Sequence, residues 1–313
     1  MPQAETLSLD VIHATRQRIA PALRRTPVIA AQPSGKAASN TPLLLKLECL
    51  QVTGSFKPRG ALAKATTFPK GSIKGLITAS GGNHGLGVAY AAHREGLPAV
   101  VYLPSSAPAD KAAKLRDWGA DVRIHGAVWD ESNEAALAAA ENEGLAYIHA
   151  FADPEVAAGQ GTLGLEILED APDIDTLVVA IGGGGLIAGV ASAARALKPG
   201  LRIIGVEPIG APTHHASRQA GKLVTLDAIT TSAGSLSPRR SEPFNFGIIQ
   251  DLVDDIVLVS DDEMQEAARW LWKEFGVGTE LAGAASVAAI MASDIKGAAP
   301  LAIVCGAGTD GLA

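Results

Sequence analysis

Lys57 lies in the segment TGSFKPRG (53–60), where Phe56 precedes it and a proline follows it. Lysine supplies the amine that can hold an aldehyde as an imine, and its pKa falls readily when the amine loses water. Such an amine can also take a proton from a carbon acid near neutral pH. Lys57 is therefore a candidate for covalent catalysis, although the segment alone is equally compatible with a solvated lysine at a helix start.

Four consecutive glycines (182–185) follow the apolar segment TLVVAI, and an alanine-rich segment follows them. Glycines let a ligand approach the backbone closely, and the N–H groups at the start of a helix bind anions. The sequence therefore predicts a phosphate site formed by the backbone amides of Gly182, Gly183, Gly184, Gly185 and Leu186.

The same glycines also fit a different cofactor. Gly183, Gly185 and Ala188 satisfy the pattern G-x-G-x-x-A, and the acidic Glu207 ends the next apolar segment. In this context the pattern is typical of dinucleotide binding, in which the acid contacts a ribose hydroxyl. An NAD-dependent dehydrogenase is therefore the alternative from a different enzyme class.

A second glycine-containing turn, ASGGNHG (79–85), follows another apolar segment. Ser80 is a residue that can cap a helix, Gly81 leaves the backbone open, and Asn83 offers both a donor and an acceptor. The turn is suited to binding a small carboxylate through N–H groups, while a capped turn without a ligand is the alternative. Taken alone, His84 is expected to have a structural role.

The chain contains two cysteines, Cys49 and Cys305, which lie far apart in sequence. Because the chain has only these two cysteines and no evident signal peptide, we expect two free thiols and a cytoplasmic location. Taken alone, each is expected to be a small buried residue.

Apolar segments alternate with helical patterns along most of the chain. This alternation predicts an α/β fold with largely parallel sheets and helices on both faces. The apolar segments are GLITAS (75–80), AVVYLP (99–104), DVRIHG (121–126), TLVVAI (176–181), LRIIGVE (201–207) and PLAIVCGAG (300–308).

The composition excludes several classes of function. With 313 residues, 47% hydrophobic and 19% charged, the chain can fill a core, and two lobes are expected. A net charge of -7 argues against a general nucleic-acid or anionic-membrane surface. No stretch of about 18 consecutive apolar residues is present, so we expect no membrane span.

Taken together and in order, the motifs resemble those of the fold type II pyridoxal-phosphate enzymes, in particular the serine/threonine dehydratase and serine racemase group. The resemblance runs from about residue 26 to residue 309. It rests on GSFKPRGA, SGGNHG (80–85), GQGT (159–162), GGGGL, GVEP (205–208) and VCGAG (304–308).

The resemblance implies pyridoxal 5'-phosphate as the cofactor and a role for each matching residue. Lys57 would form the Schiff base with the cofactor, with Phe56 packed beside it, and Asn83 would contact the phenolic oxygen. Cys305 would face the pyridine nitrogen, and Gly182–Leu186 would bind the phosphate. The substrate carboxylate would lie against Ser80, Gly81, Asn83 and His84.

Two departures from the family pattern affect the expected chemistry. Racemases of the group carry a serine where this chain has Gly81, which has no proton to give, so efficient racemisation is not expected. Relatives that bind a divalent cation use a Glu and a nearby acid. Glu207 matches the first, but Ala211 and Thr213 supply no second carboxylate, so we expect no metal site, with Glu207 as a weak candidate.

The resemblance implies a lyase that dehydrates and deaminates small β-hydroxy amino acids, L-threonine or L-serine first. Another β-hydroxy amino acid such as hydroxyaspartate or an aryl-serine, or serine racemisation, is the alternative within the family. The implied domains are a large cofactor-binding domain (1–50 and 153–313) and a small mobile domain (51–152), with no C-terminal regulatory domain. The implied assembly is a homodimer.

The segment from about 208 to 248 shows few strand patterns and is expected to be a long connection near the active site. Within it, Ser235, Pro238 and Arg239 are candidates for substrate selectivity. Ser260, followed by acidic residues, predicts the capped start of an amphipathic helix.

Overall fold

The computed structural model describes residues 7–31, 43–107, 109–292, 295 and 297–312. Within these residues, ten strands form one sheet of six strands and one of four. The strands are β1 (Val28–Ala31), β2 (Leu43–Lys46), β3 (Leu76–Ala79), β4 (Ala99–Leu103), β5 (Asp121–Ile124), β6 (Ala146–Tyr147), β7 (Thr176–Ala180), β8 (Arg202–Pro208), β9 (Asp255–Val259) and β10 (Pro300–Ile303).

The helices of the described residues alternate with these strands along the chain. They are α1 (Leu9–Ile19), α2 (Lys57–Ala65), α3 (Asn83–Glu95), α4 (Ala109–Asp117), α5 (Trp129–Glu143), α6 (Pro154–Asp170), α7 (Gly185–Leu197), α8 (Thr213–Ala220), α9 (Pro243–Leu252), α10 (Asp261–Phe275) and α11 (Leu281–Ala292). None of them is long and apolar enough to cross a membrane.

The six-stranded sheet has the order β1-β2-β10-β7-β8-β9 and is parallel except for β1, which is antiparallel to β2. Every residue of β7 and β10 is buried, as expected of central strands covered on both faces. The four-stranded sheet, β5-β4-β3-β6, is entirely parallel and has its own apolar core. The predicted mostly parallel α/β architecture is therefore confirmed.

Helices α2 and α6 cross at very close range, which explains Gly159, the first glycine of the GQGT motif. A Cβ atom on Gly159 would lie 2.4 Å from the carbonyl oxygen of Arg59, and one on Gly60 would lie 2.7 Å from Val156. A larger residue at either position would therefore push the two backbones apart. This crossing fixes the helix that begins with Lys57 against the chain that leads into β7.

The prediction for residues 208–248 was wrong in part, because α8 and the start of α9 lie there. Helix α8 has little local signal in the sequence, since its N-terminus is capped from β8: the Glu207 carboxylate accepts from the backbone N–H groups of His214 and His215, at 2.8 Å each. The predicted cap at Ser260 is confirmed as a capping box with Glu263 at the start of α10.

Candidate active site

The segments that carry Lys57 and Cys305 meet through a short antiparallel bridge. Ser55 pairs with Gly306, and the Phe56 N–H donates to the Cys305 carbonyl at 3.3 Å. A tight turn with positive φ at Thr53 (67°) and Gly54 (85°) directs the chain into this bridge. Lysine and thiol, far apart in sequence, are thereby brought to the same site.

A cavity between the two sheets contains the whole of the predicted cofactor-binding set. It lies at the carboxyl end of β7, where α/β sheets commonly bind ligands. Its lining residues are Phe56, Lys57, Asn83, Phe151, Ala180, Gly182, Gly183, Gly184, Gly185, Leu186, Ser235, Leu236, Glu280, Ala282 and Cys305.

The Lys57 amine lines this cavity and donates to the carbonyl oxygen of Ala150 at 2.9 Å. Removal from water lowers its pKa to about 8, although Cys305 and Glu280 oppose the shift. No acidic side chain of the described residues forms an ion pair with it within 4.0 Å. The pKa of the amine is therefore close to neutral pH, so the amine can both accept and release a proton there.

The glycine run forms a cradle with no room for side chains. A Cβ atom on Gly183 would lie 2.2 Å from the Phe151 ring, one on Gly184 would lie 2.9 Å from the His214 ring, and one on Gly182 would lie 2.8 Å from the Ser235 carbonyl oxygen. Among the residues described here, no protein group accepts from the N–H groups of Gly183 and Gly184. The cradle therefore presents free donors to a ligand.

Asn83 is held in place by an acidic residue that sequence reasoning missed. Its Nδ2 donates to Glu280 Oε1 at 2.7 Å, while Ser235 Oγ donates to Glu280 Oε2 at 3.1 Å. Gly306 allows this approach, because a Cβ atom there would lie 2.5 Å from the Glu280 carboxylate. Of the predicted selectivity candidates, only Ser235 lines the cavity.

Cys305 provides a neutral thiol on the cavity wall. Burial, reinforced by the charge of Glu280, raises the pKa of this thiol far above its usual range. Its Sγ lies 3.4 Å from the carbonyl oxygen of Ala282. Cys49 is also buried, and both cysteines are free, as predicted. A thiol in this state can donate a hydrogen bond but does not act as a nucleophile.

Ser80, Gly81 and His84 do not line the cavity, although Asn83 in the same turn does. The His84 ring faces inward, with Nε2 at 2.9 Å from the Ile148 carbonyl oxygen. Burial, together with the nearby charge of Lys57, lowers the pKa of His84 to about 3, so the ring is uncharged at neutral pH. The side chain therefore joins the turn to the residue that follows β6.

The hydrogen bonds of Glu207 conflict with the alternative of a dinucleotide-binding site. Both carboxylate oxygens cap α8, so neither is directed to a ribose hydroxyl. Burial raises the pKa of Glu207 to about 8, although the two backbone N–H donors oppose the shift. Among the described residues, no group of three or more His, Cys, Asp or Glu side chains is arranged for a metal ion.

Sequence reasoning also missed Phe151, Leu236, Ala180 and Ala282, which complete the cavity wall. Phe151 has no motif around it, and only its contact with the glycines marks it. Glu280 offered a faint signal, since an acid directly before an alanine-rich helix is a common N-terminal feature. A larger groove beside β1 and β2 contains none of the predicted site residues.

Comparison with known proteins agrees with this geometry. Residues 19–306 match the family described as pyridoxal-phosphate dependent enzyme. The chain is 42% identical to an L-threonine ammonia-lyase of Geobacter sulfurreducens over 286 residues, which is 91% of this chain and 71% of that protein.

Two solved structures give the same picture. A threonine deaminase from T.th. superimposes with a TM-score of 0.92 and 38% identity, covering 97% of this chain and 99% of that one. Maize serine racemase gives a TM-score of 0.93 and 34% identity, covering 97% and 94%. The chain belongs to the pyridoxal-phosphate-dependent enzyme family and has its type II fold.

The cofactor is pyridoxal 5'-phosphate, and the residues on the cavity wall fit it. The unpartnered glycine amides suit the phosphate, and the Lys57 amine suits the aldehyde. Asn83 offers an amide to the ring substituent, and the neutral Cys305 suits a pyridine nitrogen that is not protonated. The predicted cofactor is confirmed, and the dehydrogenase alternative is not supported.

Proposed function

We propose that the protein catalyses β-elimination from small β-hydroxy amino acids, L-threonine and L-serine, with release of a 2-oxo acid and ammonia. The observation that carries the proposal is the Lys57 amine, which lies in the cavity with a lowered pKa and no acidic partner among the described residues. The named activities of similar proteins, including L-threonine ammonia-lyase, support the choice of substrate.

The residues of the chain have separate roles in this proposal. When bound, the cofactor supplies an electron sink for negative charge at the substrate α-carbon. Gly182–Leu186 would bind the phosphate, Phe56 would pack beside the ring, and Asn83 would hold the ring substituent. Lys57 would hold the aldehyde, and its free amine would take the α-proton of the substrate. The neutral Cys305 would leave the pyridine nitrogen uncharged, which would favour loss of the β-hydroxyl over transamination.

The turn at residues 80–84 is the proposed carboxylate site. It follows β3 and leads into α3, so the backbone N–H groups at the start of α3 are suited to binding an anion. In the proposal Ser80, Gly81, Asn83 and His84 contribute mainly through the backbone, because the His84 ring is bonded to Ile148. Ser235 is the proposed selectivity residue, while Pro238 and Arg239 lie off the cavity wall.

A panel of β-hydroxy amino acids tests the proposal. Purified protein is expected to absorb visible light and to release 2-oxobutyrate from L-threonine or pyruvate from L-serine. Borohydride is expected to fix the cofactor to Lys57, which peptide mass spectrometry would locate. Turnover of hydroxyaspartate or an aryl-serine alone would move the proposal to that substrate.

Serine racemisation is the second candidate, and the likeness to maize serine racemase favours it. Gly81 argues against it, because no hydroxyl is present at that position to return a proton from the opposite face. Chiral chromatography of the products from L-serine separates the two. D-serine formed as fast as pyruvate would show that another group replaces the missing serine.

We also propose that residues 1–50 and 153–313 form a large cofactor-binding domain and residues 51–152 a small one. The four-stranded sheet lies entirely within the smaller range, which supports this division.

A homodimer and a cytoplasmic location complete the proposal. Light scattering of the purified protein and fractionation of the source cells test these two points.

A further inference from the structure

The glycine cradle is held from behind by two buried polar side chains. Asn245 Nδ2 donates to the carbonyl oxygen of Gly183 at 2.8 Å, and Ser241 Oγ donates to the same oxygen at 3.0 Å. Both residues are fully buried, with 0% of their surface exposed, and neither lines the cavity. Two donors on one carbonyl oxygen occupy both of its lone pairs and fix the direction in which it points.

The direction of that carbonyl determines where the next amide points. In a planar trans peptide, the C=O of Gly183 and the N–H of Gly184 face opposite ways. With the carbonyl tied to α9 behind the loop, the Gly184 N–H is turned to the side of the cavity, which Gly184 lines. The backbone at Gly184 would otherwise be free to change conformation, because its φ is 93° and glycine is permissive in this region. The two hydrogen bonds to the Gly183 carbonyl therefore restrict it.

Asn245 also connects the cradle to the lysine. Its second Nδ2 hydrogen is donated to the carbonyl oxygen of Phe151 at 3.0 Å, next to Ala150, whose carbonyl accepts from Lys57. Both N–H groups therefore face carbonyl oxygens, while Oδ1 has no partner among the described residues. This fixes the amide orientation, because the opposite one would set Oδ1 against two carbonyl oxygens.

We propose that Asn245 and Ser241 are positioning residues that turn the Gly184 amide towards the cofactor phosphate. This inference rests on the cofactor site of the proposed function and extends it to residues that do not touch the cofactor. Asn245 is expected to matter more than Ser241, since it holds both the cradle and the Phe151 segment.

The test compares the affinity of the full-length, cofactor-stripped protein for pyridoxal 5'-phosphate and for pyridoxal, which lacks the phosphate, by fluorescence titration. Asn245→Asp, of the same shape, places oxygen against both carbonyls, and we expect it to weaken binding of the phosphorylated form by about tenfold or more. Ser241→Ala is expected to weaken it by about threefold. Binding of pyridoxal is expected to change by less than about twofold.

Ser192→Ala is the matched control, because this buried hydroxyl donates to a carbonyl of its own helix, that of Ala188 at 2.8 Å, and not to Gly183. It is expected to leave both affinities unchanged. Circular dichroism checks each fold, and Ser241→Ala keeps the test valid if the Asn245 variant does not fold. Equal losses for both ligands, or no loss in either variant, would overturn the inference. A wild-type protein that binds neither ligand would instead refute the proposed function.

Discussion

Lys57 and Arg59 lie two residues apart at the start of α2 and both are removed from water, yet their charge partners differ. Arg59 is fully buried and bonded by Glu48 at 2.7 and 2.8 Å and by Glu166 at 2.8 and 2.9 Å. Burial alone would lower the pKa of Arg59, but these carboxylates raise it above the ordinary value. Lys57 has one carbonyl partner and a lowered pKa.

The difference separates a cation that holds the fold from one that is available for chemistry. Arg59 joins the chain before α2 to α6 through two carboxylates, and Lys46 adds a second buried cation beside Glu166 at 3.2 Å. The two carboxylates neutralise the charge of Arg59, so its guanidinium has no tendency to release a proton. Burial lowers the pKa of the Lys57 amine, and because no carboxylate of the described residues pairs with it, the loss of water is only partly offset and the amine can lose a proton near neutral pH.

The largest effect is expected from Lys57→Ala. Loss of the anchoring amine and of the proton acceptor is expected to lower kcat by about 1,000-fold or more. The fold is expected to persist, because no carboxylate of the described residues loses an ion-pair partner. Single-turnover release of 2-oxo acid and circular dichroism are the measurements. Retention of more than a tenth of the wild-type rate would remove Lys57 from the proposed mechanism.

Arg59→Met tests the structural half of the comparison. It leaves Glu48 and Glu166 buried without their guanidinium, which is expected to lower the free energy of unfolding by about 3–5 kcal/mol. Glu166 keeps Lys46, whereas the Glu48 side chain keeps Thr26 as its one partner among the described residues. The double variant Arg59→Met/Glu48→Gln is therefore expected to recover part of the loss in urea unfolding. A double variant as unstable as the sum of the singles would argue against direct coupling.

These two residues also show what the sequence predicted and what it could not. Lys57 was found because its segment and the glycine run at 182–185 belong to an ordered set of motifs that resembles a known family, and the strands were found because buried apolar segments have a clear pattern. Arg59 in the same motif gave no such signal, since Glu48 and Glu166 converge on it only in the folded chain. Asn245 and Glu280 were not predicted for the same reason. Helix α8 was not predicted because the residue that caps it, Glu207, lies on another element.

The pH dependence of stability separates Lys57 from the paired cations. Below about pH 8 the amine is protonated in both the folded and the unfolded, cofactor-free protein, so folding bears the full penalty of burying the charge. Between about pH 8 and the ordinary lysine pKa of about 10.4, the folded protein loses the proton and the unfolded chain keeps it, so stability rises with pH. The gain is at most about 3 kcal/mol, reduced by the water that the cavity admits.

Lys57→Met is the matched comparison, because it removes this titration and leaves all others in place. Urea unfolding at pH 7 and pH 10 is expected to show a larger stability increase for the wild type than for the variant. Identical increases in the two proteins would mean that the folded-state pKa of Lys57 is not lowered in solution.

The smallest effect is expected from Thr162→Val, which keeps the volume but removes one hydroxyl from the Arg59 cluster. Thr162 Oγ1 accepts from Arg59 Nη1 at 3.2 Å and donates to the carbonyl oxygen of Gly159 at 2.7 Å. The guanidinium keeps all four of its bonds to Glu48 and Glu166, so its charge stays neutralised. We therefore expect a loss of about 1 kcal/mol in the free energy of unfolding, with no change in kcat or in cofactor affinity. If kcat fell as well, the Arg59 cluster would be part of the catalytic machinery, and the division between the two cations would have to be abandoned.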